Sequence, residues 1–442
     1  MWIVLLGTGL WFTLGSGFWQ LRHPALIFKS TFGRLGAGGK GKSGGITPFQ
    51  AVSTALASTV GVGNIAGVAT AIAAGGPGAV FWMWVSALLG MMTKYAEVFL
   101  AVHFRKRDEK GRPFGGPMYY MEALGWRVPA VFFALMGLLC SFGVGNLTQV
   151  NTLADACRAA FGVPPILSGA VTLVAAGAVM LGGIKAIASA AGRIVPFMAA
   201  LYTLLCAAAL FVFRENILPA LGAIFTEAFC PGAALGGAAG YTVARTVRLG
   251  VSRGIFSHEA GLGSAPLAHA CAETDSAARQ GMWGAAEVFI DTMVVCTATA
   301  LVILSSGVYS PLSPAALDGA PLTLAAFESA LGAAGGYLVT ACVILFAFAT
   351  VLGWSFYGRQ CCKYLFKSEN AAHAYLCVYI FLIMPGALMG MDVVWGLSDI
   401  LNGLMALPNI SAILALSGTV FSGLKKRRQS TVLPTGALPP NI

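Results

Sequence analysis

The chain has 442 residues, of which 57% are hydrophobic and only 10% are charged, and its mean hydropathy is +0.79. Soluble domains carry about 25% charged residues, so this composition leaves too few polar side chains to cover a set of water-exposed domains. It excludes a secreted disulfide scaffold, a disordered chain and a nucleic-acid-binding protein, and it predicts a polytopic membrane protein. Membrane topology then accounts for the net charge of +10.

Eleven apolar stretches are long enough, at about 17 to 25 residues, to cross a hydrocarbon core of about 30 Å. We expect helices, because lipid offers no partner for backbone amides and the alternation typical of barrel strands is absent. The first stretch lacks a basic leader and a cleavage motif, which favours a retained helix over a removable signal peptide. The predicted helices cover 2–21, 48–74, 78–104, 129–150, 166–184, 194–213, 240–271, 281–307, 335–358, 373–390 and 391–423.

The orientation follows from the basic residues. If the N-terminus is outside, most of the 27 lysines and arginines fall in the loops and tail on the other side. The positive-inside rule makes that side cytoplasmic, including the tail over 424–442, and predicts a multi-pass protein of the cell (inner, cytoplasmic) membrane. A split of the last helix at Pro408 would place Lys425 to Arg428 outside, which favours eleven spans over twelve.

Two predicted helices are interrupted by small and polar residues at mid-depth. The helix over 48–74 carries STVGVGN from Ser58, and the helix over 240–271 carries RGIFSHEAGLGSAP from Arg253. A break at glycine frees backbone groups that must face protein or a water-filled cavity. Close helix packing is the alternative, but packing does not need polar side chains at that depth, so a ligand site is favoured. Those side chains are Thr59, Asn64, Ser257, His258 and Glu259.

The interrupted helices lie five predicted spans apart and therefore cross the membrane in opposite directions. An inverted repeat of five plus five helices has this relation. The predicted repeats cover 48–213 and 240–423, with 2–21 as an extra helix. A half-helix that begins near Gly61 directs its N–H groups into the cavity, which suits a carboxylate, whereas freed carbonyls suit an ammonium or Na⁺. One site can therefore hold a zwitterion and its driving cation.

Long motifs occur in order along nearly the whole chain. They are TALASTVGVGNIAGVATAIAAGGPGA from Thr54, GGPMYYME from Gly115, GGIKAIA from Gly182, GIFSHEAGLGSAP from Gly254, FIDTMVVCTATALVIL from Phe289 and GWSFYG from Gly353. On these motifs the chain resembles the alanine or glycine:cation symporter family, the sodium:alanine symporters of bacteria and archaea. The resemblance implies an all-α, five-plus-five inverted-repeat fold of the LeuT-like APC superfamily. It also implies symport of alanine or glycine with Na⁺, or in places H⁺, without an enzymatic cofactor.

The resemblance assigns a substrate pocket around the first break and on helices further along the chain. Its residues are Thr59, Gly61, Gly63, Gln149, Phe256, Thr350 and Trp354. The sequence agrees in part, because Thr350 and Trp354 lie four residues apart and share one helix face. The alternatives are an interfacial position for Trp354, a helix-end cap at the outer surface for Gln149 and a core position for Phe256.

Similarity to this fold also assigns the cation to the carbonyls of the first break and to a second polar region. The expected ligands are Ala57, Val60, Asn64, Ser257, Asp291 and Thr350. Asp291 and Glu287 lie one turn apart, and an intramembrane carboxylate is a functional candidate by default. An ion pair with Arg245, Arg248 or Arg253 is the alternative for both.

Three residues are candidates for proton coupling. They are His258, Glu259 and Asp291. His258 stands where the family commonly has Asn, and a histidine titrates between about pH 5 and 8. Glu259 has an ion pair with Arg253 as its alternative role. Val62 stands where a Thr is frequent, which leaves the substrate preference and the number of cations open.

Two other classes of function are weaker. An intramembrane hydrolase would use His258, Glu259 and Ser264, but Leu262 interrupts the H-E-x-x-H spacing and Pro266 the G-x-S-x-G motif. A passive channel would need an ungated polar lane and acidic rings, which the sequence does not display. The ten cysteines lack metal-ligand spacing and are interpreted as packing residues, so no transition metal is expected. Nothing in the sequence demands a dimer, and alanine, glycine and D-alanine all stay open as substrates.

Overall fold

The computed structural model describes residues 1–32, 46–229, 243–310 and 317–432, and this part of the chain is almost entirely helical. The helices are α1 (Trp2–Gly15), α2 (Trp19–Arg22), α3 (Pro24–Ser30), α4 (Pro48–Thr59), α5 (Ala66–Gly75), α6 (Gly78–His103), α7 (Pro117–Ala123), α8 (Arg127–Phe142), α9 (Thr148–Phe161), α10 (Pro165–Leu181), α11 (Gly183–Val212), α12 (Ile217–Glu227), α13 (Val243–His258), α14 (Pro266–His269), α15 (Ala277–Val288), α16 (Thr297–Ser305), α17 (Gly319–Leu331), α18 (Ala333–Phe366), α19 (Glu369–Phe381), α20 (Ile383–Leu388), α21 (Met391–Ala415) and α22 (Ser417–Val432).

Short segments of other geometry complete the described part. Two 3₁₀ segments cover Val62–Asn64 and Arg214–Asn216, and two π-helical segments cover Gly143–Leu147 and Phe289–Cys296. The strands β1 (Lys106–Arg107) and β2 (Pro113–Phe114) form an antiparallel hairpin between α6 and α7. The π-helical segments join α8 to α9 and α15 to α16 without a break, so each pair forms one long span.

Seven helical segments of the described residues are long and apolar enough to cross a membrane. They are Gly78–His103, Arg127–Phe161, Lys185–Val212, Ala277–Ser305, Ala333–Phe366, Glu369–Leu388 and Val393–Ala415. The two helices that the sequence predicts to be interrupted are interrupted in the structure. The chain between α4 and α5 is non-helical or 3₁₀ over 60–65, and the chain between α13 and α14 leaves the helix over 259–265.

Several helix ends differ from the predicted ones. The helix predicted to end at 150 continues to 161, because Asn151 is buried and donates to the carbonyl of Met389 at 2.7 Å instead of facing water. The predicted loop over 184–194 belongs to α11. The helix predicted to end at 358 continues to 366, where Glu369 at the start of α19 pairs with basic side chains of that last stretch.

The last predicted helix, over 391–423, is two helices. α21 ends before Leu416, which leaves helical geometry with φ −95° and ψ 10°, and α22 continues to residue 432. The first nine residues of the predicted tail, 424–432, are therefore helical, and residues 433–442 lie outside the described part. The start of the predicted helix over 240–271 also lies outside it, since α13 is described from 243.

Two long helices hold the interrupted ones. α6 packs against α13 and α15, whereas α18 packs against α4, α8, α9 and α11. Glycine allows both close approaches: a Cβ on Gly254 would lie 2.4 Å from Ser86 Oγ of α6, and a Cβ on Gly353 of α18 would lie 2.1 Å from Ser58 Oγ of α4. Small residues at such crossings bring membrane helices together. As a result, each break lies against a continuous helix that can supply side chains to it.

Candidate functional site

The break after α4 has an irregular backbone at a depth where regular helix surrounds it. α4 ends at Thr59, after which Val60 takes φ −79° and ψ 89°, and Gly61 takes φ −134° and ψ −155°. Asn64 supports the turn, because its Oδ1 accepts a hydrogen bond from the N–H of Gly61 at 2.9 Å. Broken helix ends expose backbone groups that side chains or ligands must satisfy. We call residues 60–65 the first break.

Two neutral side chains from other helices reach the first break. The Oε1 of Gln149 on α9 accepts from the N–H of Val62 at 3.3 Å, and the hydroxyl of Thr350 on α18 donates to the carbonyl of Ala57 at 2.9 Å. A Cβ on Gly61 would lie only 2.5 Å from Thr350 Oγ1 and 3.2 Å from Gln149 Oε1. Gln149 and Thr350 are buried, so Gln149 does not cap a helix at the outer surface. The lining is uncharged and rich in oxygen, which suits a hard cation or a small zwitterion.

A second cluster surrounds Asp291 in the π-helical segment between α15 and α16. Asn64 Nδ2 donates to Asp291 Oδ1 at 2.7 Å and to its backbone carbonyl at 3.1 Å. The hydroxyls of Ser257 and Thr292 each donate to Asp291 Oδ2 at 2.8 Å. All four residues are buried. The cluster therefore joins the first break to α13 and to the α15–α16 span, and π-helical segments often occur at functional sites.

An aromatic layer covers the first break from the side of α13. A Cβ on Gly63 would lie 3.4 Å from the ring of Phe256, and the centroid of that ring lies 4.7 Å from the centroid of Trp395. The guanidinium of Arg253 lies 4.7 Å from the Trp395 centroid on α21 and 3.7 Å from the carboxylate of Asp399. Phe256 thus contacts Trp395 in a tilted aromatic pair, with the guanidinium of Arg253 over the other ring, and is not an isolated core residue.

Thr59 turns away from the first break towards a buried carboxylate. Its hydroxyl lies 2.7 Å from Glu287 Oε1, and Glu287 Oε2 lies 3.1 Å from Nε2 of His269 on α14. The other ring nitrogen of His269 lies 2.8 Å from Nε2 of Gln280. Glu287 therefore contacts a histidine, whereas the alternative from the sequence was an ion pair with an arginine. His269 and Gln280 do not stand out in the sequence, because they lie at the ends of predicted helices, where polar residues are ordinary.

The break after α13 is held by its own residues. Glu259 and Gly263 adopt positive φ values of 53° and 81°, so the helix ends at His258. Glu259 Oε1 accepts from the indole N–H of Trp354 at 3.0 Å, and its Oε2 accepts from the hydroxyl of Ser264 at 2.5 Å. Trp354 is 1% exposed and does not lie at a lipid interface. Glu259 therefore bonds to Trp354 and Ser264, whereas the alternative from the sequence was an ion pair with Arg253. We call residues 259–265 the second break.

Two charged residues of α6 also reach the second break. The ammonium of Lys94 donates to the carbonyl of His258, the last residue of α13, at 3.1 Å. Glu97 Oε1 accepts from the N–H of Gly263 at 3.0 Å and from Asn409 Nδ2 at 2.5 Å. Both charged side chains are fully buried. Neither residue belongs to the interrupted helices or to the motifs of the family, although a lysine and a glutamate within an apolar span are themselves a signal of function.

His258 has only neutral hydrogen-bond partners for its ring. Nδ1 accepts from the N–H of Ala260 at 3.1 Å, and Nε2 lies 3.3 Å from Ser86 Oγ. Because a backbone N–H can only donate, Nδ1 carries a lone pair and the ring is the neutral tautomer with its hydrogen on Nε2. Among the predicted proton-coupling residues, this hydrogen bonding favours the carboxylates of Glu259 and Asp291 over His258.

The residues assigned from the sequence therefore fall into groups. Around the first break lie Ala57, Val60, Gly61, Gly63, Gln149, Phe256 and Thr350. Around Asp291 lie Asn64 and Ser257. His258, Glu259 and Trp354 lie at the second break. Thr59 faces Glu287. Asn64 connects the first two groups, since its oxygen and nitrogen bond to different ones.

A model of the sodium:alanine symporter family matches residues 1–432. The chain belongs to the sodium:alanine symporter family. Among curated relatives, the sodium/alanine symporter AgcS of Methanococcus maripaludis is 44% identical over 434 residues, covering 96% of this chain and 93% of its own. The putative sodium/proton-dependent alanine carrier protein YrbD of Bacillus subtilis is 36% identical over 440 residues, covering 96% and 88%.

Solved structures agree at the level of the fold. The crystal structure of MhsT in complex with L-phenylalanine has a TM-score of 0.62 at 14% identity, covering 88% of this chain and 93% of that chain. The neighbours of this sodium:alanine symporter family member are LeuT-fold transporters, which confirms the predicted class of fold. The predictions of a multi-pass membrane protein, of a symporter and of a protein that is not an enzyme are also confirmed.

Proposed function

We propose that this symporter takes up alanine or another small neutral amino acid together with Na⁺, by alternating access at the first break. The observation that carries the proposal is the convergence of Gln149 and Thr350 on Gly61 at an interrupted helix within the membrane. An uncharged, oxygen-rich lining at a helix break matches a ligand that brings both charges with it. AgcS is named a sodium/alanine symporter, which supports the same substrate and ion.

The substrate carboxylate binds near Gly61 and Gly63, ahead of the half-helix α5, which begins at Ala66 and presents the positive end of its dipole. The ammonium binds towards the freed carbonyls and the amide oxygen of Gln149. Phe256 limits the size of the side chain, since it lies 3.4 Å from where a Cβ on Gly63 would be. This favours alanine and glycine over larger amino acids, with D-alanine as a further candidate.

Na⁺ binds in two regions in this proposal. The first consists of the carbonyls of Ala57 and Val60 with the hydroxyl of Thr350, which already contacts Ala57. The second is the cluster of Asn64, Ser257 and Asp291. Carbonyl, hydroxyl and carboxylate oxygens are the ligands that hard cations prefer. The shared residue Asn64 couples occupancy of the second region to the geometry of the first break.

H⁺ is the second candidate for the coupling ion. The relative YrbD is named a putative sodium/proton-dependent alanine carrier, and Glu259 and Asp291 are buried carboxyl groups next to the breaks. In this version a proton on one carboxyl group replaces or accompanies Na⁺. A passive channel receives no support, because the buried polar groups at both breaks are bonded to one another rather than arranged along a continuous lane.

The proposed architecture is a single transmembrane domain of eleven spans. An extra segment over 2–21 precedes inverted repeats over 48–213 and 240–423, and a cytoplasmic tail follows from 424. The sequence predicts this segment as one helix, but it is divided into α1 and α2, because Gly17 and Phe18 take positive φ values of 70° and 58°. The N-terminus lies outside and the C-terminus inside, in the cytoplasmic membrane. The two interrupted helices support the repeat, since in each a helix ends at a break and helix resumes after it, α4 before α5 and α13 before α14.

Uptake of labelled amino acids into proteoliposomes tests the proposal. The protein is reconstituted, and uptake of alanine, glycine and D-alanine is measured with an inward Na⁺ gradient, an inward H⁺ gradient or neither. We expect accumulation of alanine above equilibrium with Na⁺. Accumulation with H⁺ alone would favour the second candidate, and equilibration without any gradient would favour a channel. No uptake under any condition would contradict the substrate assignment.

A further inference from the structure

Four buried polar side chains form a continuous hydrogen-bonded chain that the proposed transport site does not use. Gln280 contacts Nδ1 of His269, Nε2 of His269 contacts Glu287 Oε2, and Glu287 Oε1 contacts the hydroxyl of Thr59. None of the four is more than 3% exposed. The chain of contacts runs from the first turns of α15, through α14, to the last residue of α4. It therefore connects a buried carboxyl group directly to the edge of the first break.

The hydroxyl of Thr59 has one hydrogen and two acceptors within reach. Glu287 Oε1 lies 2.7 Å away and the carbonyl of Ala55 lies 2.9 Å away. If Glu287 is ionised, the hydroxyl serves only one of them fully, because it donates a single hydrogen. If Oε1 carries a proton, Glu287 donates to Thr59 and Thr59 donates to Ala55, so both contacts are complete. The geometry therefore accommodates a proton on Glu287.

His269 stabilises the ionised form of the same carboxyl group. Gln280 Nε2 donates to Nδ1, which leaves the ring hydrogen on Nε2, where it donates to Glu287 Oε2 at 3.1 Å. A buried carboxylate is tolerated only when such partners satisfy it. Glu287 thus has a partner suited to each protonation state, His269 for the ionised form and Thr59 for the protonated one.

Na⁺ at the first break acts on this equilibrium. Thr59 is the last residue of α4, and a helix C-terminus carries a negative partial charge that disfavours a nearby carboxylate. The carbonyls of Ala57 and Val60, where Na⁺ is proposed to bind, belong to the same helix end. A bound Na⁺ therefore stabilises the ionised form of Glu287, and its departure favours the protonated form.

Among the described residues, the surroundings of Glu287 do not supply a replacement cation. Besides His269, the buried titratable groups on its own span and on the elements packed around it include Lys94 and Glu97 of α6, His258 of α13, Glu259 of the second break, Asp291 of its own span and Tyr357 of α18. Lys94 is the one ammonium in this set and is bonded to the carbonyl of His258, whose ring has neutral partners. Lys29 of α3 and Lys425 of α22 are exposed. A second positive charge must arrive as Na⁺ or as a proton.

We propose that the Glu287–His269 pair is a proton site that competes with Na⁺ at the first break. Na⁺ binding releases the proton from Glu287, and release of Na⁺ restores it. The inference rests on the proposed function, because it uses the Na⁺ region at the end of α4. By linkage, a proton lowers the affinity for Na⁺ by the same factor by which Na⁺ lowers the affinity for the proton.

Proton release on Na⁺ binding tests this directly. The purified full-length protein is placed in weakly buffered detergent solution with a pH indicator, and NaCl is added in the absence of amino acid, with choline chloride as the ionic-strength control. We expect release of up to about one proton per Na⁺ bound, with a maximum at one pH and a decline on both sides of it. No release at any pH between 5 and 9 (about the range in which histidines and perturbed carboxyl groups titrate) would overturn the proposal.

Glu287→Gln is the decisive variant, because an amide keeps the shape of the side chain and cannot release a proton. We expect Na⁺ binding, followed by thermal shift, to persist while proton release is lost. Glu97→Gln is the matched control, since Glu97 is an equally buried glutamate bonded to the second break instead; it should release protons as the parent does. Release that survives in Glu287→Gln would contradict the assignment.

A second variant keeps the inference testable if Glu287→Gln does not fold. In His269→Gln the weaker amide donor replaces the imidazole N–H, so the ionised form of Glu287 is less stable and maximal release moves to higher pH. An unchanged pH profile would count against the pair. Na⁺-driven alanine uptake is measured on the same preparations. Uptake without proton release overturns only the proton site, whereas proton release without Na⁺-driven uptake overturns only the substrate assignment.

Discussion

The two breaks differ in the groups that satisfy their ends. Gln149, Thr350 and Asn64 meet the first break with neutral amide and hydroxyl groups. Lys94 and Glu97 meet the second break with buried ionisable groups. Ionisable side chains of the protein occupy one set of freed backbone groups, whereas the neutral set leaves room for charges that arrive with ligands. The comparison shows that two interruptions with a similar glycine-rich pattern can be satisfied in different ways, which agrees with our proposal that ligands bind at the first break.

Gly61→Ala is expected to have the largest effect, because the added Cβ would lie 2.5 Å from Thr350 Oγ1 in the first break. We expect Na⁺-driven alanine uptake to fall by about 100-fold or more, equivalent to about 2.7 kcal/mol. Gly67→Ala is the control in the same interrupted helix, since its nearest atom would be the ring of Trp395 at 3.9 Å. Equal uptake by the two variants would show that crowding at the first break is unimportant.

Lys94→Met tests whether the second break depends on a fixed charge. The variant leaves the carbonyl of His258 without its donor and the nearby buried carboxyl groups without their cation. We expect a loss of stability of about 2 kcal/mol, the range for hydrogen bonds that involve a charged group, seen as a lower melting temperature in detergent. Lys94→Arg retains the positive charge and should recover part of the lost stability. If Lys94→Met melts as the parent does, the contrast between the breaks is wrong.

Thr350→Val removes one hydroxyl from the first break while it preserves the shape of the side chain. Its contact with the carbonyl of Ala57 and its proposed role as a Na⁺ ligand are both lost. We expect the Na⁺ concentration for half-maximal uptake to rise about tenfold, or about 1.4 kcal/mol. Thr340→Val on the same helix is matched, because that hydroxyl bonds within α18 to Gly336 at 2.8 Å. If the Na⁺ concentration for half-maximal uptake also rises tenfold in Thr340→Val, the effect comes from changing α18 in general and not from the first break.

A partly exposed ion pair away from both breaks is expected to give the smallest change in stability. Lys106 and Glu122 pair at 2.8 Å beside the hairpin, and the two side chains are 55% and 33% exposed. Partial burial raises the pKa of Glu122, but hydrogen bonds from Lys106 and Tyr364 outweigh it and hold that pKa below its usual value. The stabilisation is therefore present above the usual titration range of a glutamate and is lost as the pH falls. Lys106→Ala should change the free energy of unfolding by less than about 1 kcal/mol, measured by thermal shift at pH 7.

The sequence predicts the class of fold and both interruptions, because glycine next to polar residues is unusual in an apolar span. The family resemblance also assigns Thr350 to the pocket, and the structure places its hydroxyl at the carbonyl of Ala57, beside the first break. The sequence does not predict the charged partners of the second break. Lys94 lies in a stretch that fits a plain membrane helix, and its partner His258 is 164 residues away in the chain. Only the packing of α13 against α6 brings the two together.

Thr59 shows what a motif leaves open. Its place in the motif predicts contact with substrate, and in this structure its hydroxyl contacts Glu287 and the carbonyl of Ala55. A motif fixes where a residue lies along the chain, whereas the rotation of the helix at its last turn decides which side the residue faces. Trp354 is similar: its indole donates to Glu259 rather than standing free. Such orientations depend on partners far away in sequence, which local patterns do not encode.

α18 contacts both breaks with residues one turn apart. Thr350 bonds to the carbonyl of Ala57 beside the first break, and Trp354 bonds to Glu259 in the second. Residues four apart on a helix lie about 6 Å from each other along its axis. The 34 residues of α18 form one continuous helix, so a movement of this helix displaces Thr350 and Trp354 together. Tilting that helix would strain both hydrogen bonds at once, so a displacement at one break would be transmitted to the other.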